Sequence, residues 1–278
     1  MGKMFKSFLF KFGVFHRNGT KKKETDHPMK ASPATKAKPK KKASKSALKS
    51  PKKAIDTGSK SASSKRHYPA PWSLTGEGFL FPLFGKKSYN AEMAFLDEED
   101  RKSYKGGLGS LMLVNYERSD VGPYYELLYI PGNFEHKGKN YKRITRIFVS
   151  SQTSVEEGIL NWAIPKERAD FVWKKEGSLT KIEVSRNGKT FFKIKMRSLG
   201  FGFPVSTSIL PYVLLQKQED GTKLSTAFIG KGKGKFCRIE SVWSDETVFP
   251  DFIKGGGFKT GVSADPFDLV FPVAEKVD

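Results

Sequence analysis

The stretch KIEVSRNGKTFFKIKMR, residues 181–197, constrains this chain more than any other. Ile182 and Val184 alternate with polar residues, Phe192, Ile194 and Met196 do the same, and Asn187-Gly188 separates the two runs. A period of two places each apolar set on one face of a strand. Asn-Gly supplies the positive φ angles that a two-residue type I′ turn requires, so the segment is predicted to be a β-hairpin.

The same grammar of short apolar runs and Gly, Pro, Asn or Asp breaks continues from Tyr68 onward. It predicts strands over 111–116, 124–130 and 144–150, a second hairpin around Asp220-Gly221 joining 212–216 to 224–229, and a strand over 236–243. Two helices are predicted. One follows a capping box of Ser154 and Glu157, with Val155, Ile159, Leu160 and Trp162 as its apolar face. The other spans Met93–Lys102. Gly230-Lys231-Gly232-Lys233-Gly234-Lys235 lacks a phosphate-loop pattern and is expected to be a flexible basic loop. Gly255-Gly256-Gly257 is expected to be a hinge or a close backbone approach. Many strands and few helices predict a β-rich domain (all-β or α+β) over 68–278, either a closed antiparallel β-barrel or two packed sheets.

Charge is distributed unevenly. The chain carries a formal charge of +21, but residues 1–67 hold 20 of its 50 basic and 3 of its 29 acidic residues, leaving 30 and 26 in the remainder. The basicity therefore characterises the N-terminal extension and says little about the domain's function. Residues 21–67, rich in Lys, Ser, Ala and Pro, hold too little apolar surface to offset the entropy of ordering and are expected to be disordered. They suit a nuclear address or weak contact with nucleic acid or an anionic membrane. Residues 1–20 open with MGKMFKSFLFKFGVFHR, a basic Phe-rich segment. It is expected to form an amphipathic targeting or membrane-surface helix and is too short and charged to span a bilayer. An intracellular site is expected, cytoplasmic unless this segment directs the protein to an organelle or the nucleus.

Cysteine and histidine narrow the chemistry. Cys237 is alone, which excludes an intrachain disulfide and favours a reducing compartment. Of four histidines only His136 lies well inside the domain, so neither a histidine-rich metal site nor a serine triad is expected.

Three stretches carry a more specific signal: Pro69-Ala70-Pro71-Trp72-Ser73-Leu74-Thr75-Gly76-Glu77-Gly78, Ser119-Asp120-Val121-Gly122-Pro123-Tyr124-Tyr125-Glu126, and residues 154–170, where the predicted helix runs into Trp162-Ala163-Ile164-Pro165-Lys166. Their order and spacing resemble the acetoacetate decarboxylase family across 69–274, most sharply over 109–171. The resemblance implies a β-barrel or double-cone domain with an interior pocket and no cofactor. Lys166 would form a Schiff base with a keto or oxo acid, and the protonated imine would stabilise the carbanion left by bond cleavage. Glu126 would orient the imine or move a proton, with Arg118, Trp162 and Tyr124 binding substrate. Decarboxylation or related aldol or dehydration chemistry follows, and a homo-oligomer is the expected assembly.

The departures from the family pattern are specific. Where family decarboxylases follow the reactive lysine with a second lysine, this chain has Glu167 and Arg168. The family's second carboxylate aligns near Leu111, and no arginine follows Trp72 to receive a substrate carboxylate; Arg118, Arg143 and Arg146 are the candidates to replace it. These losses leave a second reading open, a non-catalytic binder of apolar carboxylates on the same fold.

Overall fold

The computed structural model describes residues 66–209 and 212–277. The expectations for residues 1–65 lie outside them. The strands are β1 (Trp72–Gly85), β2 (Tyr104–Arg118), β3 (Tyr124–Ile130), β4 (Asn133–His136), β5 (Lys139–Lys142), β6 (Arg146–Val149), β7 (Lys166–Arg168) and β8 (Asp170–Glu176). They continue with β9 (Leu179–Arg186), β10 (Lys189–Ser206), β11 (Val213–Lys217), β12 (Lys223–Ala227), β13 (Ile229–Ser244), β14 (Thr260–Phe271) and β15 (Glu275–Val277). The helices are α1 (Lys87–Met93), α2 (Glu98–Ser103) and α3 (Gln152–Trp162).

The Asn-Gly hairpin forms as its chemistry dictates. Asn187 and Gly188 take φ of 51° and 75°, and the strands on either side pair as β9 and β10. The second predicted hairpin is β11–β12, with Gly221 at φ 86°. Five strands of twelve residues or more (β1, β2, β10, β13 and β14) make the frame. β2 serves three partners: β1 along most of its length, β3 through Ser110–Tyr116, and β4 near Tyr104.

The hydrogen-bonded path runs β15-β12-β11-β5-β4-β2-β1-β14-β13-β10-β9-β8, with β3, β6 and β7 branching from β2. The closed barrel expected from sequence is not what this pairing makes, because the path ends at β8 and β15. β8, with the sequence DFVWKKE, exposes Asp170, Lys174, Lys175 and Glu176 on that outer strand. Charges of this kind discourage pairing at a sheet edge.

Three further local expectations are corrected. The run Gly230–Lys235 is strand, not flexible loop: its glycines and lysines alternate along β13, with the lysines exposed. A Cβ on Gly232 would stand 2.7 Å from the Pro266 carbonyl oxygen and one on Gly234 2.5 Å from Val205, so glycine is needed for close packing there. The helix expected over Met93–Lys102 is two short helices, broken where Phe95 takes φ 58°. α3 starts one turn earlier than its supposed capping box, with the Ser151 side chain accepting from the Ser154 N–H. Gly255–Gly257 is a close backbone approach, with Phe84 N–H donating to the Gly256 carbonyl at 3.0 Å.

Two apolar cores result. One, built on Phe81, Leu111, Leu113, Phe148, Phe192 and Phe249, is filled. The other, built on Trp72, Leu74, Val114, Tyr116, Tyr124, Leu128, Ile147 and Trp162, surrounds a cavity of about 210 Å³.

Candidate active site

The carboxyl-terminal end of α3 delivers Lys166 to that cavity. Ala163 adopts the left-handed conformation (φ 54°), and its N–H caps the Ile159 carbonyl at 2.9 Å. Lys166 N–H then folds back on the Ile164 carbonyl at 2.7 Å, a three-residue turn centred on Pro165, whose ring restricts φ. The chain leaves that turn as β7, parallel to β6, with Lys166 opposite Ile147.

Strand alternation separates Lys166 from its neighbour in sequence. Lys166 is 6% exposed and borders the cavity, whereas the Glu167 carboxylate pairs with Arg146 and Arg186. Arg168 pairs with Asp170 at 3.2 Å. The two charges that follow Lys166 are thus each held by other partners.

The Lys166 ammonium donates to Glu126 Oε2 and to Ser154 Oγ, both at 3.1 Å. It lies over the rings of Tyr124 and Trp72, with 5.3 and 6.0 Å to their centroids. Glu126 is 4% exposed, and its other oxygen accepts from the Tyr116 hydroxyl at 3.3 Å. Burial first, and the Glu126 charge second, push the phenols of Tyr116 and Tyr124 well above their ordinary value, so both remain neutral donors.

α3 contributes a face that sequence reading missed. Ser154, Gly158 and Trp162 recur every four residues and so share one side of the helix. Ser154 bonds the ammonium and Trp162 lines the cavity. Gly158 lies against the lysine's methylenes, where a Cβ would stand 2.7 Å from Lys166 Cδ. The four-residue spacing was a usable signal. The predicted apolar face was not, because Ile159 and Leu160 are 46% and 59% exposed. Asn161 adds a tether: its side chain accepts from Ala70 N–H and donates to the Tyr68 carbonyl, both at 3.0 Å. That holds the opening segment against α3, where Trp72 meets Trp162 edge-on at 4.8 Å.

Lys166, Glu126, Trp162 and Tyr124 therefore meet around one cavity, joined by Trp72 and Tyr116. Arg118 does not join them; it is exposed and donates to Thr75 Oγ1 at 3.1 Å. Arg143 pairs with Asp100, and Arg146 with Glu167. No arginine lines the cavity among the described residues. Cys237 packs in the filled core, where burial pushes its thiol up to about 12, and His136 ends β4. Among the described residues no cluster of three or more His, Cys, Asp or Glu is placed to hold a metal, and no helix is long and apolar enough to cross a membrane.

Comparison with known proteins agrees with this architecture. Residues 100–205 match the family model of acetoacetate decarboxylase. The fold is similar to acetoacetate decarboxylase from Legionella pneumophila subsp. pneumophila str. Philadelphia 1 (16% identity, TM-score 0.52, covering 79% of this chain and 93% of that one). It is also similar to the enduracididine biosynthesis enzyme MppR complexed with pyruvate (13% identity, TM-score 0.54, 79% and 95% covered). A third likeness is to an acetoacetate decarboxylase-like enzyme from Sphingomonas wittichii RW1 (13% identity, TM-score 0.52, 76% and 94% covered). No curated protein sequence matches the chain.

Proposed function

We propose that this chain, a divergent member of the acetoacetate decarboxylase-like superfamily, is a lyase whose Lys166 forms a Schiff base with the carbonyl group of a keto or oxo substrate. One observation carries the reading: a lysine ammonium 3.1 Å from both a buried carboxylate and a serine hydroxyl, bordering an apolar cavity. Replacing a buried ion pair by apolar side chains is often neutral or stabilising, so its retention in this core supports a functional role.

Glu126 takes a proton from the ammonium, which frees the amine lone pair to attack the substrate carbonyl carbon. The carbonyl oxygen takes one proton from the attacking nitrogen and one from Glu126 and leaves as water. The resulting iminium then draws the electron pair of an adjacent bond as that bond breaks. Ser154 and the Tyr116 hydroxyl hold the nitrogen and the carboxylate in place, so the reacting groups start close to the geometry they need.

Borohydride reduction in the presence of carbonyl substrates tests this. The expected result is a reduced adduct on the peptide containing Lys166, absent from Lys166→Ala. Adducts scattered over exposed lysines, with Lys166 unmodified, would sink the reading. A binding role without turnover draws support from the apolar walls. Ligand affinity that survives Lys166→Ala, with no adduct in the wild type, would favour that alternative.

A further inference from the structure

The charged residues bordering the cavity come as two neutral pairs. Glu126 and Lys166 are hydrogen-bonded to each other. Lys231 and Asp268 stand opposite one another on β13 and β14, exposed at the rim. A Cβ on Gly230 or Gly232 would meet Leu269 or Phe267, so alternation turns the Lys231 side chain away from those two residues and leaves it exposed at the rim. The walls near Lys166 are Trp72, Val114, Leu128, Ile147, Trp162 and Ile164. Every arginine that could have served a substrate carboxylate is engaged elsewhere: Arg118 with Thr75, Arg143 with Asp100 and Arg146 with Glu167.

We propose that the carbonyl compound bound here is uncharged, a ketone or aldehyde with an aliphatic or aromatic body, rather than an oxo acid with its carboxylate beside the reacting carbon. The proposal rests on the Lys166 imine and specifies what that imine accepts. When the ammonium and an uncharged ketone condense, the C–N bond forms, the C–O bond breaks and one water leaves. The iminium keeps the lysine's positive charge, so its sum with Glu126 stays at zero. An oxo acid brings the same buried site to −1, with its carboxylate next to that of Glu126 and no cation to answer it. Uncompensated charge in an apolar wall is costly, and a like charge nearby adds to the cost. The volume suits the class: an apolar cavity of about 150 Å³ takes up benzene, so about 210 Å³ has room for a ring with a short arm. The chemistry that follows the imine is then one that does not release carbon dioxide.

A matched pair of probes decides the matter. 4-Phenyl-2-butanone and 2-oxo-4-phenylbutanoate differ in that a methyl group replaces the carboxylate, and the oxo acid carries the more electrophilic carbonyl. With the full-length protein and borohydride, the ketone is expected to label Lys166 at least tenfold more than the acid at equal concentration. Glu126→Gln removes the repelling carboxylate and is expected to raise the acid-to-ketone labelling ratio about tenfold. Equal or better labelling by the acid overturns the proposal, as does an unchanged ratio in a Glu126→Gln protein that melts cooperatively. If that variant does not fold, the wild-type comparison decides alone. If neither probe labels Lys166, the imine reading fails, and reversible binding measured by quenching of Trp72 and Trp162 fluorescence takes over. Ketone binding without acid binding then upholds the uncharged ligand class; acid binding, or no binding of either, overturns it.

Discussion

The two cores of this protein are made from opposite faces of the same strands, yet one is full and the other hollow. On β2, Leu111 and Leu113 enter the filled core while Val114 and Tyr116 face the cavity side. On β3, Leu127 and Tyr129 go one way and Tyr124, Leu128 and Ile130 the other, with Glu126 between them on the cavity side. The filled core closes because phenylalanines from separate strands and loops interlock. Phe148 contacts Phe191 at 4.6 Å between ring centroids, and Phe192 contacts Phe249 at 5.2 Å. On the hollow side the indoles are held by their N–H groups, Trp72 on the Tyr68 carbonyl and Trp162 on the Pro272 carbonyl. Gly78, Gly230 and Ala264 line the same space without filling it. The comparison teaches that an apolar face becomes a site where large side chains are tied back and small ones line the gap.

Substitutions can break the comparison at either end. Phe192→Ala in the filled core should destabilise by about 3–5 kcal/mol, because its ring is fully buried and packed against Phe249. Leu128→Ala, on the wall of an existing cavity, should cost nearer about 2 kcal/mol. Denaturant unfolding of both variants checks this, and equal losses would mean that the cavity closes in solution.

The second contrast is with pH. Burial pushes the Tyr212 phenol up to about 12, against an ordinary 10 in the unfolded chain. Its contribution is therefore complete below pH 10 and is lost as pH rises from 10 toward 12. Two pH units correspond to roughly 3 kcal/mol. Tyr212→Phe should flatten the alkaline decline in stability by about that amount, as read from unfolding midpoints between pH 9 and 12. An unchanged slope would place the phenol in contact with water.

The smallest change touches the site alone. Gly158→Ala places a methyl group against the Lys166 methylenes. Lys166 labelling by a carbonyl probe should fall about tenfold, equivalent to about 1.4 kcal/mol, while the melting temperature moves by only a few degrees. Labelling at the wild-type level would show that the lysine's path is not set by α3.

Much of this was legible because strand alternation and turn chemistry are local. Asn187-Gly188 determined a hairpin, and the resemblance of Tyr124-Tyr125-Glu126 and Pro165-Lys166 to motifs of the acetoacetate decarboxylase family singled out the two residues that pair beside the cavity. The alternation of Gly230–Lys235 was equally local but carried no large apolar residues, so it was taken for a loop. Its strand character depends on residues distant in the chain, because Phe267, Leu269 and Val205 pack on those glycines. Ser154 was taken for a cap because the true cap, Ser151, offers the same hydroxyl three residues earlier. Arg118 sits beside the motif in sequence but ends β2 in solvent, a position set by strand length.

By itself, then, the sequence determined the β-rich class and the hairpins, because these follow from periodicity and from backbone preferences of single residues, while its resemblance to a known family marked the residues worth suspecting. Whether the sheet closes, where each arginine's charge is spent and which way Glu167 faces were decided only by the tertiary structure. The physical reason is that cavity shape and charge pairing are sums over residues far apart in the chain. Lys166 and Glu126 are 40 residues apart, and the hydrogen bond between them exists only once β3, α3 and β7 are packed together.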